Sequence, residues 1–183
     1  MGYDFHFGYK AAYNINDLRE LFNGVVEVIK EYKIDNVAIH SRIIRDYLRA
    51  GDIKLANKLL GYSYKIKGLH IKGQGLGAKQ FVPTINIEVE NFLIPKEGIY
   101  ISKTIIDKKI YNSVTFVRHR VSTDGKFAVE THILNELEYE IHSKNIEVIF
   151  INRMRDNKKY EKYEELKTQI LVDIEEAKNY FSF

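Results

Sequence analysis

From Tyr62 onward, apolar and polar positions alternate in short runs separated by turn residues. Residues 64–71, 84–89, 99–106, 110–117, 127–134 and 146–151 are rich in β-branched and aromatic side chains, and each run reads as a strand. Asp107-Lys108-Lys109 and Thr123-Asp124-Gly125 supply hairpin turns. Short strands at this spacing, with no helical pattern between them, predict a mainly β fold: a six-stranded antiparallel barrel of Greek-key-like order. The period then changes. Tyr163, Leu166, Ile170, Ile174, Ala177 and Phe181 recur at three- and four-residue steps, which predicts a C-terminal helix with one face on the barrel.

Residues 1–61 follow another pattern. Leu18, Leu21 and Phe22 have helical spacing within 17–22, and Asn23-Gly24 can stop that helix. Residues 25–29 and 37–39 are β-prone. After Ser41, Ile44, Tyr47 and Leu48 form one helical face; Gly51-Asp52 interrupts it, and Leu55, Leu59 and Leu60 continue a second short helix to Gly61. This mixed α/β piece has too little apolar material to be a stable domain alone. Two regions are therefore expected, 1–61 and 62–183.

Composition narrows the function classes. A chain of 183 residues with 45% hydrophobic content can bury a real core. Cysteine is absent, which excludes disulfides and thiolate metal sites and fits a reducing cytoplasm. A net charge of +3 makes no general case for nucleic acid or a membrane surface. No apolar run approaches the ~20 residues of a membrane span. Arg118-His119-Arg120, in a chain with 13 tyrosines and 10 phenylalanines, keeps an OB-like nucleic-acid-binding barrel as an alternative, although acids balance the basic residues.

Candidate chemistry centres on Gly73-Gln74-Gly75-Leu76-Gly77-Ala78-Lys79 and the Pro83-Thr84-Ile85-Asn86 that follows. Alternating glycines let backbone amides approach phosphate oxygens. Thr84 and Asn86 share one strand face, where a hydroxyl and an amide suit a metal–phosphate group. An ordinary glycine-rich loop leading into a strand is the alternative. Glu130 shares its face with Ala128 and His132, and a half-buried strand carboxylate can accept a hydroxyl proton. The alternative there is a solvent-facing glutamate. Glu130, His132, His119 and His142 include metal-ligand residue types, but only Glu130 and His132 have shared-face spacing, so His132 reads as a packed or hydrogen-bonded strand residue.

The glycine loop with Pro83-Thr84-Ile85-Asn86 resembles the riboflavin kinase module of bacterial bifunctional riboflavin kinase/FMN adenylyltransferases (FAD synthetases). The likeness continues in order through Gly98-Ile99-Tyr100, Val129-Glu130-Thr131-His132-Ile133-Leu134 and Arg155-Asp156-Asn157-Lys158-Lys159-Tyr160. It implies an ATP-dependent riboflavin kinase whose partners are riboflavin, FMN, ATP and ADP, with Mg²⁺ as cofactor and neither nucleic acid nor membrane involved. By the same likeness, Gly73, Gly75, Gly77 and Lys79 would hold ATP phosphates, Thr84 and Asn86 the metal and phosphate, and Glu130 would be the base at the ribityl 5′-hydroxyl. Ser122, Thr123 and Arg155 would lie at the flavin.

Residues 1–61 resemble the closing part of the family's adenylyltransferase domain: Gly2-Tyr3-Asp4-Phe5-His6-Phe7-Gly8 and the series Ser41, Ile44, Arg45, Gly51-Asp52, Ala56-Asn57 and Leu59-Leu60-Gly61 match it. A partial α/β nucleotidyltransferase segment is thus expected ahead of the barrel. The family's His-x-Gly-His motif occurs nowhere here, so FMN adenylyltransferase activity is expected to be absent. The family's Gly-x-x-Pro-Thr-Phe stretch is not recognisable between Arg118 and Thr123. Such loop departures keep a non-catalytic flavin- or nucleotide-binding barrel as the rival reading.

Overall fold

The computed structural model describes residues 1–71, 82–119, 127–135, 141 and 143–182. The chain forms two compact units, Met1–His40 and Ser41–Phe183. In the first, helix α1 (Ile15–Leu21) starts earlier than the apolar spacing indicates, because Asn14 caps it. The Asn14 side chain accepts from the Asn16 amide at 2.8 Å, and Asp17 accepts from the Asn14 amide at 2.6 Å, closing a reciprocal capping box. Strands β1 (Lys33–Ile34) and β2 (Val37–Ala38) pair through a two-residue turn in which Asp35 and Asn36 both have positive φ, at 49° and 63°. The β-prone stretch 25–29 does not become a strand: Ile29 alone bridges to Gly2, and Val25 is exposed. A strand needs a partner edge along its length for its backbone groups, and here the pairing is confined to Ile29 N–H to Met1 O at 2.8 Å and Tyr3 N–H to Ile29 O at 3.0 Å.

The second unit opens with helices α2 (Ser41–Ala50) and α3 (Ile53–Leu60). Asp52 caps α3 through the Leu55 amide at 3.1 Å, and Gly61 ends it in the left-handed conformation, φ 76°, where a side chain is disfavoured. The change of sequence pattern after Gly61 thus coincides with a helix terminus. Compactness divides the chain earlier, because Leu48, Ile53 and Ala56 join the same core as the barrel residues Ile66, Tyr100 and Phe150. Asn57 secures this docking, donating to Phe150 O at 2.9 Å and accepting from the Tyr64 amide at 2.7 Å.

The six expected strands form a closed antiparallel barrel. They are β3 (Lys65–Ile71), β4 (Ile85–Val89), β5 (Gly98–Ile106), β6 (Lys109–His119), β7 (Phe127–Ile133) and β8 (Asn145–Arg155), in spatial order β3-β4-β7-β6-β5-β8. β5, β6 and β7 are sequential neighbours, and β4 lies beside β7 rather than β5, which is the Greek-key arrangement. Asp107 and Lys108 turn β5 into β6 with φ 49° and 68°, the two-residue hairpin geometry whose twist matches the strands. The expected turn at 123–125 lies outside the described residues. Gly68 allows β3 to approach β4, since a Cβ there would sit 2.3 Å from Glu88 O.

Inside the barrel, Ile66, Ile85, Ile87, Val117, Val129, Val148 and Phe150 make the apolar core. Part of the interior is polar instead: Ser102, Thr104, Ser113, Thr115 and Thr131 are all fully buried. Their hydroxyls satisfy one another, with Ser102 to Thr115 at 2.7 Å, Thr104 to Ser113 at 2.8 Å and Thr115 to Thr131 at 3.0 Å. Outside, helix α4 (Tyr163–Phe181) lays Ala177 and Phe181 against Ile99, Ile101, Val114 and Phe116. The outer face of β5 and β6 is thus apolar where α4 covers it, while the inner face of the same strands carries the buried hydroxyls.

Candidate active site

Strand alternation decides which side chains can meet a ligand. Ile85, Ile87, Val129 and Thr131 are buried toward the interior, so Asn86, Glu130 and His132 emerge on the outer face. Register then brings two of the predicted residues together: Asn86 on β4 stands directly opposite Glu130 on β7. Directly opposed residues on one face are within reach of a shared ligand. Glu130 also faces Phe116 across the β6–β7 pairing, so one side of the carboxylate is lined by an aromatic ring position.

Thr84 immediately precedes β4, and the structure supplies an anchor for it that the sequence did not disclose. The His132 ring lies with Nδ1 2.8 Å from Pro83 O, and a carbonyl can only accept, so Nδ1–H is the donor. This bond fixes the chain one residue before Thr84. Burial pushes the His132 imidazole below its ordinary value, with the Pro83 carbonyl pulling the other way and Lys178 adding to the lowering. His132 is the hydrogen-bonded strand residue its spacing predicted. His119 is engaged elsewhere, its ring centroid 4.0 Å from that of Phe127 with the planes tilted by 30°, and its amide donating to Glu97 Oε1 at 2.7 Å.

Glu130 has a cationic partner. Arg118, near the end of β6, donates from Nη2 to Glu130 Oε1. Glu130 pairs with Phe116 in register, so Arg118 is the diagonal neighbour two residues along the same face. The Arg118 side chain is 62% exposed and that of Glu130 only 20%. The carboxylate is therefore mostly buried, while the guanidinium paired with it is largely exposed.

The regions expected at the flavin also meet. Gly98 pairs with Val117 and Ile99 with Arg155, which sets the ends of β6 and β8 on either side of the start of β5. Asn157 donates to Val117 O at 2.9 Å and ties the segment after β8 to the residue before Arg118. Arg155 itself is committed to Asp173 of α4 through two bonds, Nε at 2.8 Å and Nη2 at 2.6 Å. The Asp173 carboxylate is buried and takes a further bond from Gln169 at 3.1 Å. The structure thus places Arg155 as the clasp between β8 and α4. An open depression of about 450 Å³ follows, lined by Lys158, Tyr160, Gln169 and Val172 among others. Tyr160 Oη is buried there without a partner among the described residues. Gly73, Gly75, Gly77, Lys79, Ser122 and Thr123 lie outside the described residues.

The donor set can be tested against the implied metal. The Thr84 hydroxyl and the Asn86 amide carbonyl are neutral hard oxygens, which suit Mg²⁺ when phosphate oxygens and water complete its shell. Among the described residues, no group of three histidines and carboxylates gathers as a transition-metal site would require. The donor types on this face are thus those a small hard cation takes, and not those of a transition-metal site.

Comparisons with known proteins identify the family of the barrel. The chain is 32% identical to the bifunctional riboflavin kinase/FMN adenylyltransferase of Haemophilus influenzae over all of its own length and 60% of the relative's. It is 30% identical to the Pseudomonas fluorescens protein of the same name, over 97% of this chain and 58% of that one. It therefore spans about 60% of the length of these relatives. A solved Streptococcus pneumoniae structure, described as a macrolide-efflux protein, superposes with a TM-score of 0.85 at 27% identity, covering 97% of this chain and 59% of that one. No helix among the described residues is long and apolar enough to cross a membrane. The riboflavin kinase family (Flavokinase) matches residues 60–181, the span of the barrel and its closing helix, and this chain belongs to that family.

Proposed function

We propose that the barrel transfers the γ-phosphate of ATP to the ribityl 5′-hydroxyl of riboflavin, giving FMN and ADP. The observation that carries this reading is the register pair Asn86–Glu130, which sets a phosphate-side ligand directly across from a carboxylate on one outer face. Phosphoryl transfer asks a protein mainly for positioning and charge neutralisation. Glu130 would orient the hydroxyl and take its proton as the oxygen attacks. Thr84 and Asn86 would hold Mg²⁺, whose chemistry when bound is to neutralise charge on the phosphates. Phe116 and the face of α4 would shield the carboxylate from bulk water, while the Arg155–Asp173 clasp keeps α4 in place.

The glycine loop 73–79 would contribute ATP-phosphate contacts, and the flavin would lie between residues 118–124 and the segment after Arg155. Residues 1–61 would be the closing part of the adenylyltransferase domain named in the relatives. With no His-x-Gly-His sequence among these 183 residues, conversion of FMN to FAD is not expected of this chain. A cysteine-free chain suits a reducing cytoplasm. Neither nucleic acid nor a membrane is expected as a partner.

The test is incubation with riboflavin, ATP and Mg²⁺, and separately with FMN in place of riboflavin, followed by chromatographic separation. FMN forming in the first and no FAD in the second is the expected result. Quenching of flavin fluorescence without turnover would make the protein a binding barrel instead. Salt-sensitive oligonucleotide binding without flavin binding would make it a nucleic-acid barrel.

A further inference from the structure

Arg118 is the unexplained charge at this site. Among the described residues, its polar contact is the carboxylate that the kinase reading makes the base. An exposed ion pair contributes little to stability, so it is easily broken and remade. A guanidinium has five N–H donors in a planar fork, and one bond to Glu130 leaves the fork able to grip a second anion. The guanidinium is far more exposed than the carboxylate it pairs with, so it is open to an anion arriving from solvent.

We propose that Arg118 is a phosphate latch: it pairs with Glu130 before transfer and binds the transferred phosphoryl group after it. The proposal rests on the kinase reading above. In the transfer, the ribityl O–H bond breaks and its proton passes to the Glu130 carboxylate. The ribityl oxygen forms a bond to the γ-phosphorus, the bond from that phosphorus to the β–γ bridging oxygen breaks, and its electron pair leaves on ADP. Glu130 is then a neutral carboxylic acid. The oxygen it had been holding now carries a phosphate monoester with close to two negative charges. Arg118 loses its charged partner at the moment a stronger anion appears beside it, and charge-assisted, two-pronged contacts of guanidinium with phosphate are among the strongest hydrogen bonds in proteins. Loss of the proton from Glu130 to water restores the carboxylate, draws Arg118 back and loosens FMN for release. Arg118 would thus act on the product and on the charge developing toward it, and not on riboflavin.

The discriminating measurement is the affinity of riboflavin and of FMN, each by quenching of flavin fluorescence with Mg²⁺ and ADP present, for five proteins: wild type, Arg118→Gln, Arg118→Lys, Glu130→Gln and the double variant of Arg118→Gln with Glu130→Gln. Arg118→Gln is expected to weaken FMN by about tenfold or more and to leave riboflavin within about twofold. Glu130→Gln, which makes the partner permanently neutral, is expected to bind FMN more tightly than wild type, and the double variant is expected to lose that gain. Arg118→Lys keeps the charge without the fork and should fall between wild type and Arg118→Gln. Thermal melting of each variant verifies folding, which the exposure of Arg118 favours. If Arg118 only orients Glu130, the ratio of FMN to riboflavin affinity will not change in Arg118→Gln, and the latch is overturned while FMN production still supports the kinase reading. Failure of the wild type to bind riboflavin or make FMN would overturn the kinase reading, and the latch with it.

Discussion

Val25 and Phe150 are both large apolar side chains, yet Val25 is 96% exposed in the first unit and Phe150 fully buried in the second. The first unit is assembled from local devices: the Asn14–Asp17 capping box, the two-residue turn at Asp35-Asn36 and the backbone bonds between Met1–Tyr3 and Ile29. Ile15 is its single buried hydrophobic residue. The second unit closes a sheet on itself, so every strand has two partners and each inward side chain meets others from across the barrel. Apolar residues alone do not make a core; closure does, by giving them an inside. The candidate catalytic residues stand on the closed unit, where packing and strand pairing fix their positions.

The largest expected effect separates chemistry from stability within the closed unit. Glu130→Gln keeps size and removes basicity, and should lower turnover ~10²–10⁴-fold with melting unchanged. Turnover near that of wild type would remove Glu130 from the mechanism. Next, the contrast between the units can be tested directly. Phe150→Ala should destabilise the barrel by about 3–5 kcal/mol in denaturant melts. Val25→Ala should stay within about 0.5 kcal/mol. Similar losses from both would mean that Val25 is covered in solution.

A smaller effect should remain within the first unit. Asn14→Ala removes the α1 cap, worth about 1 kcal/mol, and is expected to raise amide exchange in residues 15–21 while barrel amides stay as protected as before. Spread of the change into the barrel would show that the two units unfold together. The smallest effect is a pH dependence belonging to the barrel alone. Folding lowers the His132 pKa below the ordinary 6.5, so the unfolded chain binds the proton more readily. Its contribution is therefore neutral above that value and increasingly destabilising as pH falls toward the folded pKa. Wild-type melting temperature should drop between pH 7 and about 5 more steeply than that of His132→Asn, with the difference vanishing at higher pH. Parallel profiles would assign the acid sensitivity to another group.

All six barrel strands and the closing helix were legible in the sequence, because period-two and period-3.6 patterns survive wherever one face is buried. Thr84, Asn86 and Glu130 were legible as residue types on strand faces. The facing of Asn86 and Glu130 was not, since periodicity within β4 and β7 says nothing about which strand lies next to which. The same gap hid Arg118, which reads as part of a basic spot with His119 and Arg120 until β6 is set beside β7. Asn14-x-x-Asp17 was a readable helix start that apolar spacing alone passed over. The alternating polar residues Ser102, Thr104, Ser113 and Thr115 misdirect in the other way: alternation suggests a solvent face, whereas they point inward.

That inward hydroxyl ladder has a consequence for how this sequence can drift. Each hydroxyl has one proton to give, and Ser102, Thr104, Ser113, Thr115 and Thr131 spend theirs where water does not reach. Replacing one of them by alanine or valine strands a neighbour on an adjacent strand, so the first step of any exchange is worse than either end state. Three strands are thereby bound to a common history, and Thr131 carries that constraint to the position beside Glu130. Inherited variation should therefore cross these positions in correlated sets, with the interior of the barrel changing as a block while the outer face beside it is free to acquire a residue such as Arg118.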